Sequence, residues 1–596
     1  MDTRKIIQLS AFAVLIATLA ACTGENTPQK TSKTKSLDFK TNNPSSDGRH
    51  HMIPGTGAPI TGTPPVALLP GAGTPGAGAP GAGAPGAGTP GAGAPGAGAP
   101  GTGTPGTGTP GTGAPGTGTP GTGTPITPAV LPPFQFLPVL SDSDGNPNDA
   151  FATYNLTVDG NVPVNVATPS GNWTTPMMRY NNSQLPPVIV AKRGTQMTLN
   201  VQNNLLEDTT VHWHGFKIPA VQDGGPDKPI PVATSKTYNF QLLQSAASLW
   251  FHPHLHTATQ VYNGLAGGFV VTDDVSINLE TNKQIPSGAF DIPILVQDRS
   301  FTADTGTGVR DLVYQNNTMT GMLGDVVLVN GVQMPALEVE TRQYRFRLYN
   351  GSNARTYDFA LSNGASFKIV GTDGGLLAQP VDDTHVLLSA GERAEIVIDF
   401  SVYAVGDNIT FISRPFASAG PAASALPNGA AFDVMRFDVA TPAVDDVILY
   451  TDLPPNADIY DRLTELQATT TRDFVMSMGG GGPGGMRFLI NGKSFDINRV
   501  DELVAAGTTE IWNVSNVSMM EHPFHAHAIQ WQVLDRNNLP PVGSDLGWKD
   551  TVLVKPGESI RIIGRFDPLV NIGKYMYHCH ILEHEESGMM GIFEIL

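Results

Sequence analysis

Cysteine is almost absent: the 596 residues contain two, Cys22 and Cys579. At most one pair could bridge, so a disulfide framework is excluded as the source of stability. Formal charge is missing from His50 to Ser141, 92 residues without a single Lys, Arg, Asp or Glu. Within that stretch, Pro70 through Thr124 is eleven copies of the pentad Pro-Gly-Ala/Thr-Gly-Ala/Thr, which carries no large apolar side chain. Such a segment cannot offset its ordering entropy by burial, so it forms no core. Positive charge is scarce in the remainder, where residues 142–596 hold 28 Lys or Arg against 49 Asp or Glu. A surface that acidic repels phosphate backbones, which excludes nucleic acid as a partner. Long, capped stretches of helical periodicity are also lacking beyond Asp142.

What is present begins with Arg4 and Lys5, followed by an apolar stretch, Ile6 to Ala21, interrupted by Gln8, Ser10 and Thr18. This layout is that of a signal peptide over residues 1–21, too short for a spanning helix. Leu19-Ala20-Ala21-Cys22 resembles the lipobox of bacterial lipoproteins, which implies cleavage before Cys22 and its acylation. The expectation is an exported protein attached to a membrane only by that lipid anchor. It would lie on the periplasmic side or outer membrane of a Gram-negative host, and at the cell surface otherwise. Residues 22–141 then read as a disordered stem, a spacer in which the 55 repeat residues alone span roughly 40 Å on average.

The body, 142–596, shows short alternating runs bounded by Gly, Pro, Asn and Asp. Tyr344 to Tyr349, Ala394 to Phe400 and Ser559 to Ile563 are examples with a period near two. The expected fold is all-β, in three sandwiches of about 150 residues each, with boundaries near 280 and 440.

Eleven of the 14 His fall into four short clusters: His212-Trp213-His214, His252-Pro253-His254-Leu255-His256, His522-Pro523-Phe524-His525-Ala526-His527, and His578-Cys579-His580 with His584. Each contains His-x-His, and on an extended strand residues i and i+2 share a face. Four such pairs offer eight imidazoles, which suit two or three metal ions held between the first and last thirds. Cys579 points away from His578 and His580 and can serve a separate ion. One thiolate, two His and a weak thioether form the blue-copper ligand set, and His522, Cys579, His584 and Met589 supply those types. Zinc sites seldom use Met and leave the eight other imidazoles unexplained.

These four motifs, in this order, resemble those of the multicopper oxidases, close to the bacterial copper-efflux oxidases and laccase-type enzymes, over roughly Tyr154 to Leu596. The resemblance implies three consecutive cupredoxin-like Greek-key β-sandwich domains, at 142–280, 281–440 and 441–596, and four coppers. By the family pattern His212 and His525 would bind the type 2 ion. His214, His252 and His580 would hold one type 3 ion, and His254, His527 and His578 the other. His522, Cys579 and His584 would hold the type 1 ion with Met589 as axial ligand. His256 lies outside the pattern and is expected behind the ligands or in solvent. Asp223 and Glu585 match the family's carboxylates that deliver protons near the cluster.

The implied activity is one-electron oxidation of Cu(I), another low-valent metal or a phenol, coupled to four-electron reduction of dioxygen to water. Met519, Met520 and Glu521, just before His522, form the candidate donor site, because thioethers favour Cu(I) and a carboxylate suits a harder ion or a phenol proton. If a regular strand ran through Met520 and His522, the two side chains would share a face. The competing classes are a non-catalytic copper-binding or storage lipoprotein and a copper nitrite reductase, for which two cupredoxin domains per chain are expected.

Overall fold

The computed structural model describes residues 130–143, 145, 150–420, 424–454, 462–480, 485–567 and 572–596. The signal peptide, Cys22 and the pentad repeats lie outside the described residues. The body is built from strands, and its alternating sequence becomes alternating burial: in Gln196–Asn203 every second side chain is buried. Among the described residues the α-helices are short, Thr257–Tyr262, Asp274–Thr281 and Leu582–Glu586. None is long and apolar enough to cross a membrane.

Three main cores collect the apolar faces, and the fold is all-β with cupredoxin-like sandwiches. The first packs Leu156, Val158, Trp213, Tyr238, Phe251 and Phe269; the second packs Ile294, Phe346, Tyr357, Phe359, Ile396 and Phe437. The third packs Phe474, Trp512, Trp531, Phe566, Tyr577 and Phe593. The first two thirds are not separate in hydrogen bonding. One sheet runs from Gly375–Asp383 at its edge through Gln343–Asn350 and Asp291–Arg299 to Phe151–Thr168, Gln196–Asn203 and Ser235–Gln241. The join is a parallel pairing of Ala167 with Val332.

Two smaller sheets position the chemistry. A four-stranded sheet pairs His212–His214 with Ala247–His252, so that His212 faces His252 and His214 faces Trp250. In the last third, His522–Ala526 lies between Thr551–Val554 and Gly573–Cys579, with His525 opposite both Thr551 and His578, and Phe524 opposite Cys579.

The stem expectation extends too far. Residues 132–140 lie on the body: Phe134 N–H donates to Ala336 O, and Ala336 N–H to Pro132 O, at 2.9 and 2.8 Å. Pro138 and Leu140 then bond to Val188 on a strand edge, Leu140 N–H to Val188 O and Val188 N–H to Pro138 O, both at 2.8 Å. Phe134 enters the second core and Leu137 a small cluster with Trp250 and Tyr349. Lack of charge suggested a stem, but two well-placed apolar side chains suffice to dock an extended segment.

Candidate metal centre

The smaller of two clusters is local to the last third. His522 opens a strand, Cys579 closes the neighbouring one, and His584 sits on the helix Leu582–Glu586. Cys579 Sγ lies 3.4 Å from His522 Nδ1 and 3.6 Å from His584 Nδ1, and the two nitrogens are 3.2 Å apart. All three side chains are fully buried. Burial holds His522 well below its ordinary range and His584 at about 4, and it pushes the Cys579 thiol up. Neutral imidazoles and a polarisable sulfur thus converge on one point, a donor set that fits copper and that would lose the thiol proton on binding it. Met589 is buried beside them, its N–H donating to His584 O at 2.9 Å and its carbonyl accepting from Cys579 N–H at 3.0 Å.

The larger cluster joins the first and last thirds. The Nε2 atoms of His254, His527 and His578 form a triangle with sides of 3.1, 3.3 and 3.2 Å. Their Nδ1 atoms face acceptors. His527 Nδ1 is 2.7 Å from Asp223 Oδ2, His578 Nδ1 is 3.0 Å from Cys579 O, and His254 and His578 Nδ1 lie 3.3 and 3.2 Å from the two Glu585 oxygens. A neutral imidazole has one N–H, so protons on Nδ1 leave three lone pairs aimed at one another. That arrangement calls for a cation.

The same logic applies nearby. His212 and His525 turn Nδ1 to the carbonyls of Asp223 and Asp550, at 2.8 and 2.9 Å, and their buried Nε2 atoms find no protein partner. His212, His525 and His527 form one compact group, and His212, His214 and His252 another. His214, His252 and His580, expected around one ion, are not a compact trio. His580 nevertheless lies beside them, its ring 4.9 Å from that of His214 and 5.5 Å from that of His252, with both of its nitrogens buried and unpartnered. His256 is exposed, at a left-handed φ of 51° where the short helix begins.

Models of the multicopper oxidase family match residues 161–276, 293–433 and 453–596. The chain belongs to the multicopper oxidase family. It is 34% identical over 423 residues to the multicopper oxidase mco of Staphylococcus aureus, covering 70% of this chain and 83% of that protein. It is 32% identical over 423 residues to a laccase of Bacillus subtilis, covering 65% and 79%. The solved structure of the McoA multicopper oxidase from the hyperthermophile Aquifex aeolicus superposes with a TM-score of 0.69 at 31% identity, over 78% of this chain and 99% of that one. This multicopper oxidase is therefore a copper-binding oxidoreductase with dioxygen as acceptor, and the storage-protein and nitrite-reductase alternatives are not favoured.

The two expected proton carriers both reach ligands. Asp223 follows a short 3-10 turn and is buried, which raises its carboxyl to about 8. Glu585, on the helix between His584 and Glu586, is raised well above the carboxylate range by burial, and Thr257 Oγ1 donates to it at 2.9 Å.

The donor side departs from its expectation. The chain bends through Ser518–Met520 and the strand begins only at His522, so Met520 and His522 do not share a strand face. Met519 is 86% exposed, whereas Met520 is buried. Met520 and Glu521 line a pocket of about 100 Å³ with Ser418, Asn428, Thr320 and Leu553. Ser418 Oγ and Asn428 Nδ2 donate to Glu521 Oε1 at 2.7 and 2.8 Å.

Sequence reasoning missed two groups. Asp550 Oδ1 is 3.0 Å from His214 Nε2, and both Asp550 oxygens accept from Arg393 at 2.7 Å. Burial works to raise that carboxyl, but Arg393 holds it below the ordinary range. Arg393 also donates to Ser248 O at 2.9 Å and to Asp373 O at 2.9 Å. Ser518 contacts His522. Neither had a signal: Asp550 is 336 residues from His214, and a Ser four positions before a His is an unremarked pattern.

Proposed function

We propose that this oxidase carries four coppers, one held by His522, Cys579, His584 and Met589 and three by the eight imidazoles of the His-x-His pairs, and that its donor is a low-valent metal ion. The triangle of facing Nε2 atoms from His254, His527 and His578 is the observation that carries the polynuclear part. Copper would supply one-electron redox chemistry at the single site and the binding of dioxygen at the cluster. The residues supply the rest. Cys579 is joined by one peptide bond on each side to His578 and His580, so the route from the donor side to the cluster is short and covalent.

Reduction of one dioxygen to two waters takes four electrons and four protons, and two buried carboxyls stand where protons are needed. Asp223 Oδ2 lies 2.7 Å from His527 Nδ1, close enough to exchange a proton with it. Glu585 spans the Nδ1 atoms of His254 and His578. Their positions beside different histidines support relay roles for both, Asp223 through its hydrogen bond and Glu585 through approaches of 3.3 and 3.2 Å.

The donor pocket, at about 100 Å³, is smaller than the roughly 300 Å³ or more of pockets that bury a drug-sized ligand. Its thioether and buried carboxylate suit Cu(I) or another low-valent ion better than a phenol. Signal cleavage before Cys22, acylation of its thiol and an exported, membrane-anchored location complete the proposal, and their support is the sequence of residues 4–22. The test is oxygen uptake by copper-loaded protein with Cu(I), Fe(II), Mn(II) and a dimethoxyphenol compared side by side. Metal-driven uptake exceeding phenol-driven uptake is expected. Phenol as the best donor would overturn the donor class, and no uptake with any donor would overturn oxidase action at these sites.

A further inference from the structure

We infer that Ser518 is the positioning residue that fixes His522 as a ligand and sets the redox potential of the single-copper site, holding it above the value a carboxylate there would impose. The inference rests on the proposal that His522, Cys579 and His584 hold that copper. Ser518 Oγ lies 2.8 Å from His522 Nε2, the nitrogen opposite the one facing Cys579. The proposed ligation through Nδ1 decides which atom donates, and the surroundings of the hydroxyl are compatible with it. Asn516 Oδ1 and Met520 O, both acceptors, lie 2.8 and 2.9 Å from Ser518 Oγ, and Met520 N–H points at the same oxygen from 3.2 Å. A hydroxyl has one proton and two lone pairs. With Nδ1 turned to the thiol and committed to copper, the neutral imidazole keeps its one proton on Nε2, and Ser518 Oγ accepts it while its own proton goes to Asn516 Oδ1 or Met520 O.

The hydroxyl is itself held in place. Asn516 Oδ1 also accepts from Ser518 N–H at 2.9 Å, and Asn516 Nδ2 donates to Met520 O and Val554 O at 2.6 and 2.9 Å. The bend at Ser518–Met520 that removed Met520 from the strand is therefore the device that carries this hydroxyl to the ring. His584 has a neutral partner too, its Nε2 lying 3.3 Å from Met319 O. Both imidazoles of the site thus donate to uncharged oxygens, whereas in the larger cluster His527, His254, His578 and His214 have carboxyl oxygens of Asp223, Glu585 and Asp550 beside them as well as backbone carbonyls. An anionic acceptor makes a ligating imidazole more basic and favours the oxidised metal; a neutral hydroxyl does so less. The single site is built to keep its potential high, and so to accept an electron readily.

The test is a redox titration of the blue absorption of copper-loaded protein, with electron paramagnetic resonance of the same samples. Ser518→Asp is expected to shift the midpoint potential down, Ser518→Ala up, and Ser518→Thr, which restores the hydroxyl, to return it to the wild-type value. Copper retention in Ser518→Ala is expected to weaken by about 10- to 100-fold. Potentials unchanged in both Ser518→Asp and Ser518→Ala would overturn the inference while leaving the site assignment intact. If Ser518→Ala does not fold, the Ser518→Asp and Ser518→Thr pair decides alone: opposite behaviour supports the role and identical potentials overturn it. A copper-loaded wild-type protein with no blue band would instead overturn the site assignment beneath it.

Discussion

The two histidine clusters differ in almost every respect except burial. The Cys579 cluster draws its side chains from the 68 residues between His522 and Met589 in one sandwich, while the other brings His212 and His254 against His525 and His578 from the far end of the chain. Around Cys579 the imidazoles meet a hydroxyl and a carbonyl oxygen, from Ser518 and Met319. Around the larger cluster, carboxyl oxygens of Asp223, Glu585 and Asp550 stand beside His527, His254, His578 and His214, in addition to backbone carbonyls. On the proposed assignment the difference follows from the work: a site that only passes electrons needs rigid, neutral support, whereas one that turns dioxygen into water needs protons beside it.

The most severe way to break the comparison is Cys579→Ser. It should abolish the blue absorption and donor oxidation, on the order of 10³-fold or more, because no other buried cysteine is present among the described residues. His212→Ala should do the converse, keeping the blue band while oxygen uptake stops; a variant that still consumed oxygen would remove His212 from the cluster. Glu585→Gln keeps the shape and removes the exchangeable acid. Turnover should fall on the order of 10²-fold with the blue band unchanged, and steady-state oxygen uptake alongside the visible spectrum checks both.

A pH series on copper-free protein sharpens the contrast. Imidazoles of both clusters are depressed, His254, His525 and His584 to about 4, against roughly 6.5 in an unfolded chain. Below about 6.5 the unfolded chain takes up protons that the folded one refuses, so stability falls towards pH 4. Asp223 has the opposite sign. Its carboxyl, at about 8 when folded and roughly 4 when unfolded, costs stability steadily from about pH 4 to about 8 and no further above that. The thermal midpoint should therefore peak near pH 6.5, where the histidine gain ends, and Asp223→Asn should flatten the fall from there to about 8 and steepen the rise below it. A midpoint still rising at pH 8 would contradict this.

The smallest effects belong to the methionines. Met519→Leu, on an exposed side chain, should leave stability within about 0.5 kcal/mol. Met520→Leu, in the pocket wall against Gly420, should cost less than about 1.5 kcal/mol. If Met520→Leu lowers cuprous oxidation no more than phenol oxidation, the pocket is not a metal site.

Much of this was legible in the sequence because the ligands come as pairs. His-x-His survives as a signal even though only His212–His214 lies wholly within a strand. His252, Ala526 and Cys579 each end theirs, and the second imidazole of each pair turns in from the following loop. Patterns of alternation found strands such as Gln343–Asn350 and Ser559–Arg565. Long-range partners were invisible, since nothing local to Asp550 or Arg393 announces the other. The bend at Ser518–Met520 was missed because side-chain hydrogen bonds from Ser518 and Asn516, not apolar alternation, decide the backbone there. The strap at 132–140 was missed because, like the repeat before it, it carries no charge and several prolines, although its Phe, Leu and Val side chains set it apart.

One guanidinium has a consequence for how the chain comes apart. Arg393 lies on a strand of the middle third, donates to the backbone of Ser248 in the first, and closes a two-oxygen ion pair with Asp550 in the last. Separating any one of the three would strand a charge in apolar surroundings, a penalty of several kcal/mol. The sandwiches are thus denied independent melting. Calorimetry should record a single cooperative transition, and Arg393→Met should split it into steps.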